Sequence, residues 1–116
     1  MSSNVILFGF DRPTPGREML SAQHFQTFTE YLGGLQRKGT IQSFEPVFLD
    51  PHGGDLNGFI LIRGESQKLD TLIDGDEWRT HVIRAMLHLD KPGVVRGAAG
   101  DLIAQRMAIW TKEIPK

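Results

Sequence analysis

Val5-Ile6-Leu7-Phe8-Gly9-Phe10 is the stretch on which the reading of this chain turns. A strand with one solvated face alternates apolar and polar side chains; here both alternating sets are apolar, so neither face of the strand sees much water. Gly58-Phe59-Ile60-Leu61-Ile62 repeats the pattern. Two strands of this kind need cover on both sides of their sheet.

Outward from the first strand, Asp11-Arg12-Pro13-Thr14-Pro15-Gly16 breaks the chain, because two prolines cannot sustain a ladder. A helix is expected from about Arg17 to Lys38. Phe25, Phe28, Leu32 and Leu35 recur at steps of three and four, which puts them on one stripe, and Lys38-Gly39 supplies a terminal cation and a left-handed cap. A second strand is expected over Ile41 to Leu49, at an edge or a bulge, because Pro46 has no N–H to donate. After the turn Asp50-Pro51-His52-Gly53-Gly54-Asp55 and the Gly58 strand, Ser66 caps a short helix through Ile73. Asp74-Gly75 interrupts it, and Asp76 caps a second piece, Glu77 to Leu89, with Trp78, Val82, Ala85, Met86 and Leu89 inward. Val94 to Gly100 is glycine- and alanine-rich, and Leu102 to Thr111 reads as the fourth strand.

That order, βαββαβ over residues 1–116, predicts one α+β domain of ferredoxin-like arrangement, a four-stranded antiparallel sheet with helices on one face. The helices leave the other face open. Since two strands are apolar on both sides, the simplest cover is a second copy, in a homodimer whose sheets pack face to face.

Composition narrows the classes of function. With 116 residues, 40% hydrophobic and 23% charged, the chain is long enough for one core. Thirteen basic against fourteen acidic side chains give a formal charge of −1, so no footprint for nucleic acid or an anionic membrane is expected. There is no cysteine, which excludes disulfides, thiolate nucleophiles and thiolate metal sites and fits a cytoplasmic location. The N-terminus lacks a basic region and its apolar run is too short for a signal peptide or membrane span.

The two-sided strands and the element order resemble the dimeric α/β-barrel superfamily. Within it, His24, Lys38-Gly39-Thr40-Ile41, Glu45-Pro46, Asp50, Gly53-Gly54, Gly58-Phe59-Ile60-Leu61-Ile62 and Glu65-Ser66 are most similar to YCII-related and DGPF-type small domains. The resemblance implies a homodimer and, at His24, the first-helix histidine suspected there of acid/base chemistry. The aspartate that accompanies that histidine in the family has no counterpart here.

On its own terms, His24 lies beside the phenylalanine stripe, at the boundary of helix and sheet where a cleft can open, and its reference pKa suits proton transfer. The alternative role is a single hydrogen bond at the rim of the core. Glu77, His81, Arg84 and His88 share a stripe of the later helix and could bind an acidic ligand or relay a proton, though such stripes are more often solvated flanks. Arg106 interrupts the expected last strand between Ala104 and Ala108, where a guanidinium could clamp a carboxylate or stabilise an oxyanion. Arg63, at a strand end, could serve likewise, and Trp78 and Trp110 are apolar walls or core. No metal or cofactor is expected: His81 and His88 are not at the one-turn spacing of a zincin helix. Two functions follow. One is a homodimeric domain that binds a small apolar or aromatic acid between sheet and helices, with Arg63, Trp78, His81 and Trp110 as ligand contacts. The other is a cofactor-independent enzyme, monooxygenase- or isomerase-like, with His24 and Arg106 as its catalytic pair.

Overall fold

A computed structural model describes residues 2–116. Its elements run β1 (Val5–Phe10), α1 (Glu18–Lys38), β2 (Ser43–Phe48), β3 (Gly58–Arg63), α2 (Ser66–Ile73), α3 (Asp76–Met86), β4 (Gly93–Gly97) and α4 (Asp101–Lys112). The four strands form one antiparallel sheet in the order β2-β3-β1-β4, compatible with a ferredoxin-like unit. The apolar strands β1 and β3 hold the two central places. Pro46 lies on the edge strand β2, opposite Ile60, where a missing donor costs least.

Register sorts the strand residues onto two faces. Ile6 pairs with Ile62 and Phe8 with Ile60, and these four side chains are buried with Phe28, Leu32 and Leu35 of α1, Leu69 of α2, and Trp78 and Ala85 of α3. Burying a large apolar side chain of this kind contributes roughly 1.5–3 kcal/mol. The stripe expected for α1 is therefore its core face. That helix ends at Gly39, whose φ of 80° is left-handed and whose N–H reaches the carbonyls of Gln36 and Leu35. On the other sheet face Leu61, Leu7 and Val95 lie side by side across three strands, flanked by Val47 and Phe59. Val95 is exposed and the other four are half-buried.

Three expectations are corrected. The fourth strand is Gly93–Gly97, not Leu102 to Thr111; the latter is helix α4. Met86, expected inward, is 63% exposed. Neither Ser66 nor Asp76 caps its helix with its side chain: the N-cap positions are Glu65 and Gly75, and the Ser66 hydroxyl accepts the N–H of Ser3.

Helix α4 stands apart. It buries no residue, and Arg106 ties it to the N-terminal segment through Ser2 and Ser3. Ile103, Met107 and Trp110, spaced four and three, leave one side of it apolar and exposed, and Ile114, just past its end, is exposed too. The molecule is accordingly elongated, 54 × 38 × 21 Å, with a radius of gyration of 15.9 Å. A compact domain of this length has about 13 Å.

Candidate functional site

The seam between α1 and α3 is built from two matching series. Ser21, His24, Phe28 and Tyr31 step by three, four and three along α1; Trp78, His81, Ala85 and His88 step by three, four and three along α3 and the turn after it. Ala85 is fully buried and adds only a methyl group, so the helices can come close between the two histidines. His81 is 6% exposed and His88 5%.

His24 reaches both. Its Nδ1 lies 2.9 Å from His88 Nε2 and its Nε2 3.1 Å from His81 Nδ1. The His24 and His81 rings are nearly parallel, 13° apart, with centres 5.3 Å apart; since their nitrogens are much closer than their centres, the rings meet at their edges. At the other end, Ser21 Oγ is 2.6 Å from His88 Nδ1 and 3.3 Å from the His88 carbonyl. Tyr31 lies against the His81 ring, 4.4 Å between centres. Four side chains thus form one file, Ser21–His88–His24–His81.

Burial sets the charge state of this file. His24 is pushed down to about 4, first by loss of solvent and then by the repulsion that His88, His81 and Arg84 would exert on a second charge. His81 and His88 are lowered too, both chiefly by burial; for His81 the repulsion of Arg84 is partly offset by Glu77. Tyr31 is pushed up to about 12 by burial and by the Glu77 carboxylate, so it keeps its proton. All three imidazoles are neutral at pH 7.

Beside this file a cleft of about 510 Å³ opens between α1 and the ends of β1 to β3. Phe8, Phe10, Phe25, Phe28 and Phe48 wall it, and Ser21, His24 and His88 form its polar side. The rings touch one another: Phe8 and Phe28 are 5.4 Å apart, Phe25 and Phe48 also 5.4 Å. Gly58 lacks a side chain where a Cβ would meet the Phe10 ring at 2.7 Å, so glycine sets that wall's position. Asp11, Arg12 and Pro13 form the rim. Backbone bonds tie the rim to the turn after α3: Thr14 N–H to His88 O at 2.8 Å, Asp90 N–H to Arg12 O at 2.8 Å and Asp11 N–H to Asp90 O at 2.9 Å. Asn57 donates its side-chain amide to the Asp11 carboxylate.

Of the polar residues singled out in the sequence, His24 and His88 line this cleft. His81 lies behind it, hydrogen-bonded to His24. The stripe Glu77–His81–Arg84–His88 is not a solvated flank throughout; its histidines are buried while Glu77 and Arg84 are exposed. Arg106, expected on a strand, is on α4, where it donates to Ser2 O and to Ser3 Oγ, leaving its Nε buried without a partner. It does not converge with His24. Arg63 closes β3 away from the cleft, Trp78 is core, and Trp110 is 62% exposed on α4. Ser21 and His88 were missed as partners of His24. The spacing that joins His88 to Trp78 and Ala85 was the available signal.

Among the described residues no group of three or more His, Asp or Glu is arranged to hold a metal ion. The imidazoles face one another in pairs and share no common point. Among the described residues no helix is long and apolar enough to cross a membrane. No protein family, curated protein or solved structure matches the chain.

Proposed function

We propose that this chain binds a small aromatic or apolar acid in the cleft between α1 and the sheet, as a homodimer. The observation that carries the reading is the cleft itself: five phenylalanine rings on one side, a hydroxyl and neutral imidazoles on the other. Sites for small organic molecules have this make-up, an apolar wall with a few placed polar groups. Arg12 at the rim is the cation available to a ligand carboxylate, and the imidazoles give or accept a hydrogen bond without adding a charge. Homodimerisation is supported by two uncovered apolar surfaces in one chain, the Leu61–Leu7–Val95 row of the sheet and the stripe of α4.

The test is titration of ¹⁵N-labelled protein with a panel of aromatic carboxylic acids and phenols. Shifts centred on Phe10, Phe25, Phe48 and Ser21 are expected. Ala22→Trp, which fills the cleft from an exposed position on α1, abolishes them and leaves the fold intact. No shift at millimolar ligand in the parent protein would overturn the reading.

A second reading, an enzyme using acid/base chemistry without a cofactor, is favoured by one observation: His24 borders the cleft as a neutral base already in contact with two further imidazoles. It requires that a bound ligand with an acidic C–H exchange that hydrogen for deuterium from solvent, and that His24→Gln stop the exchange.

A further inference from the structure

We propose that Ser21, His88, His24 and His81 form a single proton-conducting chain in which all three rings hold the same tautomer at any moment and a proton passes between the cleft and the surface beside Glu77. It rests on the cleft reading only for what gives or takes the proton; the chain itself exists in the empty protein.

The constraint follows from donor and acceptor counting. A neutral imidazole has one N–H and one lone pair. In one arrangement Ser21 O–H donates to His88 Nδ1, His88 Nε2–H to His24 Nδ1, and His24 Nε2–H to His81 Nδ1, so every ring is protonated at Nε2. In the other every ring is protonated at Nδ1 and each bond runs the opposite way. Any mixed set puts two N–H groups or two lone pairs face to face across about 3 Å, which leaves buried polar groups unpaired.

Both ends tolerate either state. Ser21 Oγ can donate to His88 Nδ1, or accept from it and turn its own proton to the His88 carbonyl. At the far end, His81 Nε2 has no partner among the described residues yet is not sealed, since the one fully buried side-chain polar atom without a partner is Arg106 Nε. Passage starts with all rings protonated at Nε2. A donor in the cleft gives a proton to Ser21 Oγ, and Ser21 passes its own to His88 Nδ1. His88 then passes its Nε2 proton to His24 Nδ1, His24 passes its own to His81 Nδ1, and His81 releases its Nε2 proton. Every N–H broken is matched by one formed, and no net charge remains on the chain. Around the file, α3 contributes Glu77 and Arg84, α1 contributes Tyr31, which stays protonated, and Asp11 and Glu18 border the same cleft; the sheet side is Phe8 and Ile60.

Long-range ¹H–¹⁵N spectra of the histidine side chains of the ligand-free protein at pH 7 report each tautomer. The expected result is one shared tautomer, or one shared average, for His24, His81 and His88, with His52 behaving separately. Ser21→Ala, which trims an oxygen at one end and leaves the core intact, is expected to move all three rings to Nε2–H, because a buried N–H is harder to leave unpaired than a lone pair. The decisive readout is the change at His81, at the opposite end of the file. His24→Phe, where it folds, is expected to uncouple His81 from His88. Opposite tautomers in the parent protein, or a Ser21→Ala effect confined to His88, would overturn the proposal. Absence of ligand binding, with the coupled tautomers present, would instead remove only the cleft reading.

Discussion

The α1–α3 seam and helix α4 break the usual rule of burial in opposite directions. In the seam, polar side chains are buried: His81 and His88 are nearly inaccessible, and His24 joins them by two hydrogen bonds. On α4, large apolar side chains are exposed, with Trp110 at 62%. The lesson is that burial follows from having a partner of the right shape. Imidazoles can enter the core where each finds another imidazole, because a satisfied polar group avoids most of its desolvation cost. An apolar stripe stays outside when its own chain offers it no groove.

The comparison can be broken most severely at Phe28, which stands between the seam and the sheet and is 3% exposed. Phe28→Ala is expected to cost about 3–5 kcal/mol in urea unfolding, the range for truncating a core aromatic. The equivalent truncation on α4, Trp110→Ala, should leave the unfolding free energy of the monomer within roughly 0.5 kcal/mol. A large monomer effect from Trp110→Ala would mean that α4 does pack on its own chain.

His24→Leu tests whether the seam histidines are held by hydrogen bonds or by shape. Removing both ring nitrogens strands His81 Nδ1 and His88 Nε2, and a loss of about 1–3 kcal/mol is expected. A neutral or stabilising outcome would show that packing alone accounts for the seam.

Acid sharpens the same point with a smaller effect. The folded-state pKa values of His24, His81 and His88 lie below the unfolded one, so on acidification the unfolded chain takes up protons first. Stability from these groups is complete above the unfolded pKa of about 6.5 and declines as pH falls through the window down to about 4, where His24 itself titrates. The expected loss is on the order of 1 kcal/mol, allowing for partial solvent screening at His24. His24→Phe should flatten this part of the stability–pH curve. Nothing comparable is expected from α4.

The smallest effect on the fold, and the most telling about assembly, concerns the apolar surfaces. Leu61→Asp on the open sheet face and Met107→Asp on α4 should each leave thermal unfolding at low concentration within a few degrees of the parent. In sedimentation at micromolar concentration both are expected to shift the protein from dimer to monomer. A parent protein that is monomeric throughout would end the homodimer reading while leaving the cleft untouched.

The fold was largely legible where local pattern and final burial agree. Phe25, Phe28, Leu32 and Leu35 marked the sheet-facing stripe of α1, Gly39 its end, and Pro46 the edge strand. Residues Gly93–Gly97 were not legible as a strand, because short glycine-rich sequence carries no strand signal of its own and is held there by pairing with β1. Leu102 to Thr111 was misread because its apolar residues also suit alternation; the exposed stripe at 103, 107 and 110 shows the helical period. The candidate site was half legible. His24 is legible from its place beside the core stripe, whereas polarity leaves His81 and His88 open between a proton-relaying or ligand-binding stripe and a solvated flank, although they share the spacing of the core residues Trp78 and Ala85.

The amino-acid sequence by itself determined the elements whose pattern needs no partner to interpret: two central apolar strands, one long amphipathic helix with its cap, and an edge strand. Only the tertiary structure decided that three histidines distant in sequence meet in one file beside an aromatic cleft, and that the last helix keeps its apolar stripe exposed. Periodicity along a chain states which side chains share a face. Whether that face is dry depends on what another segment brings against it.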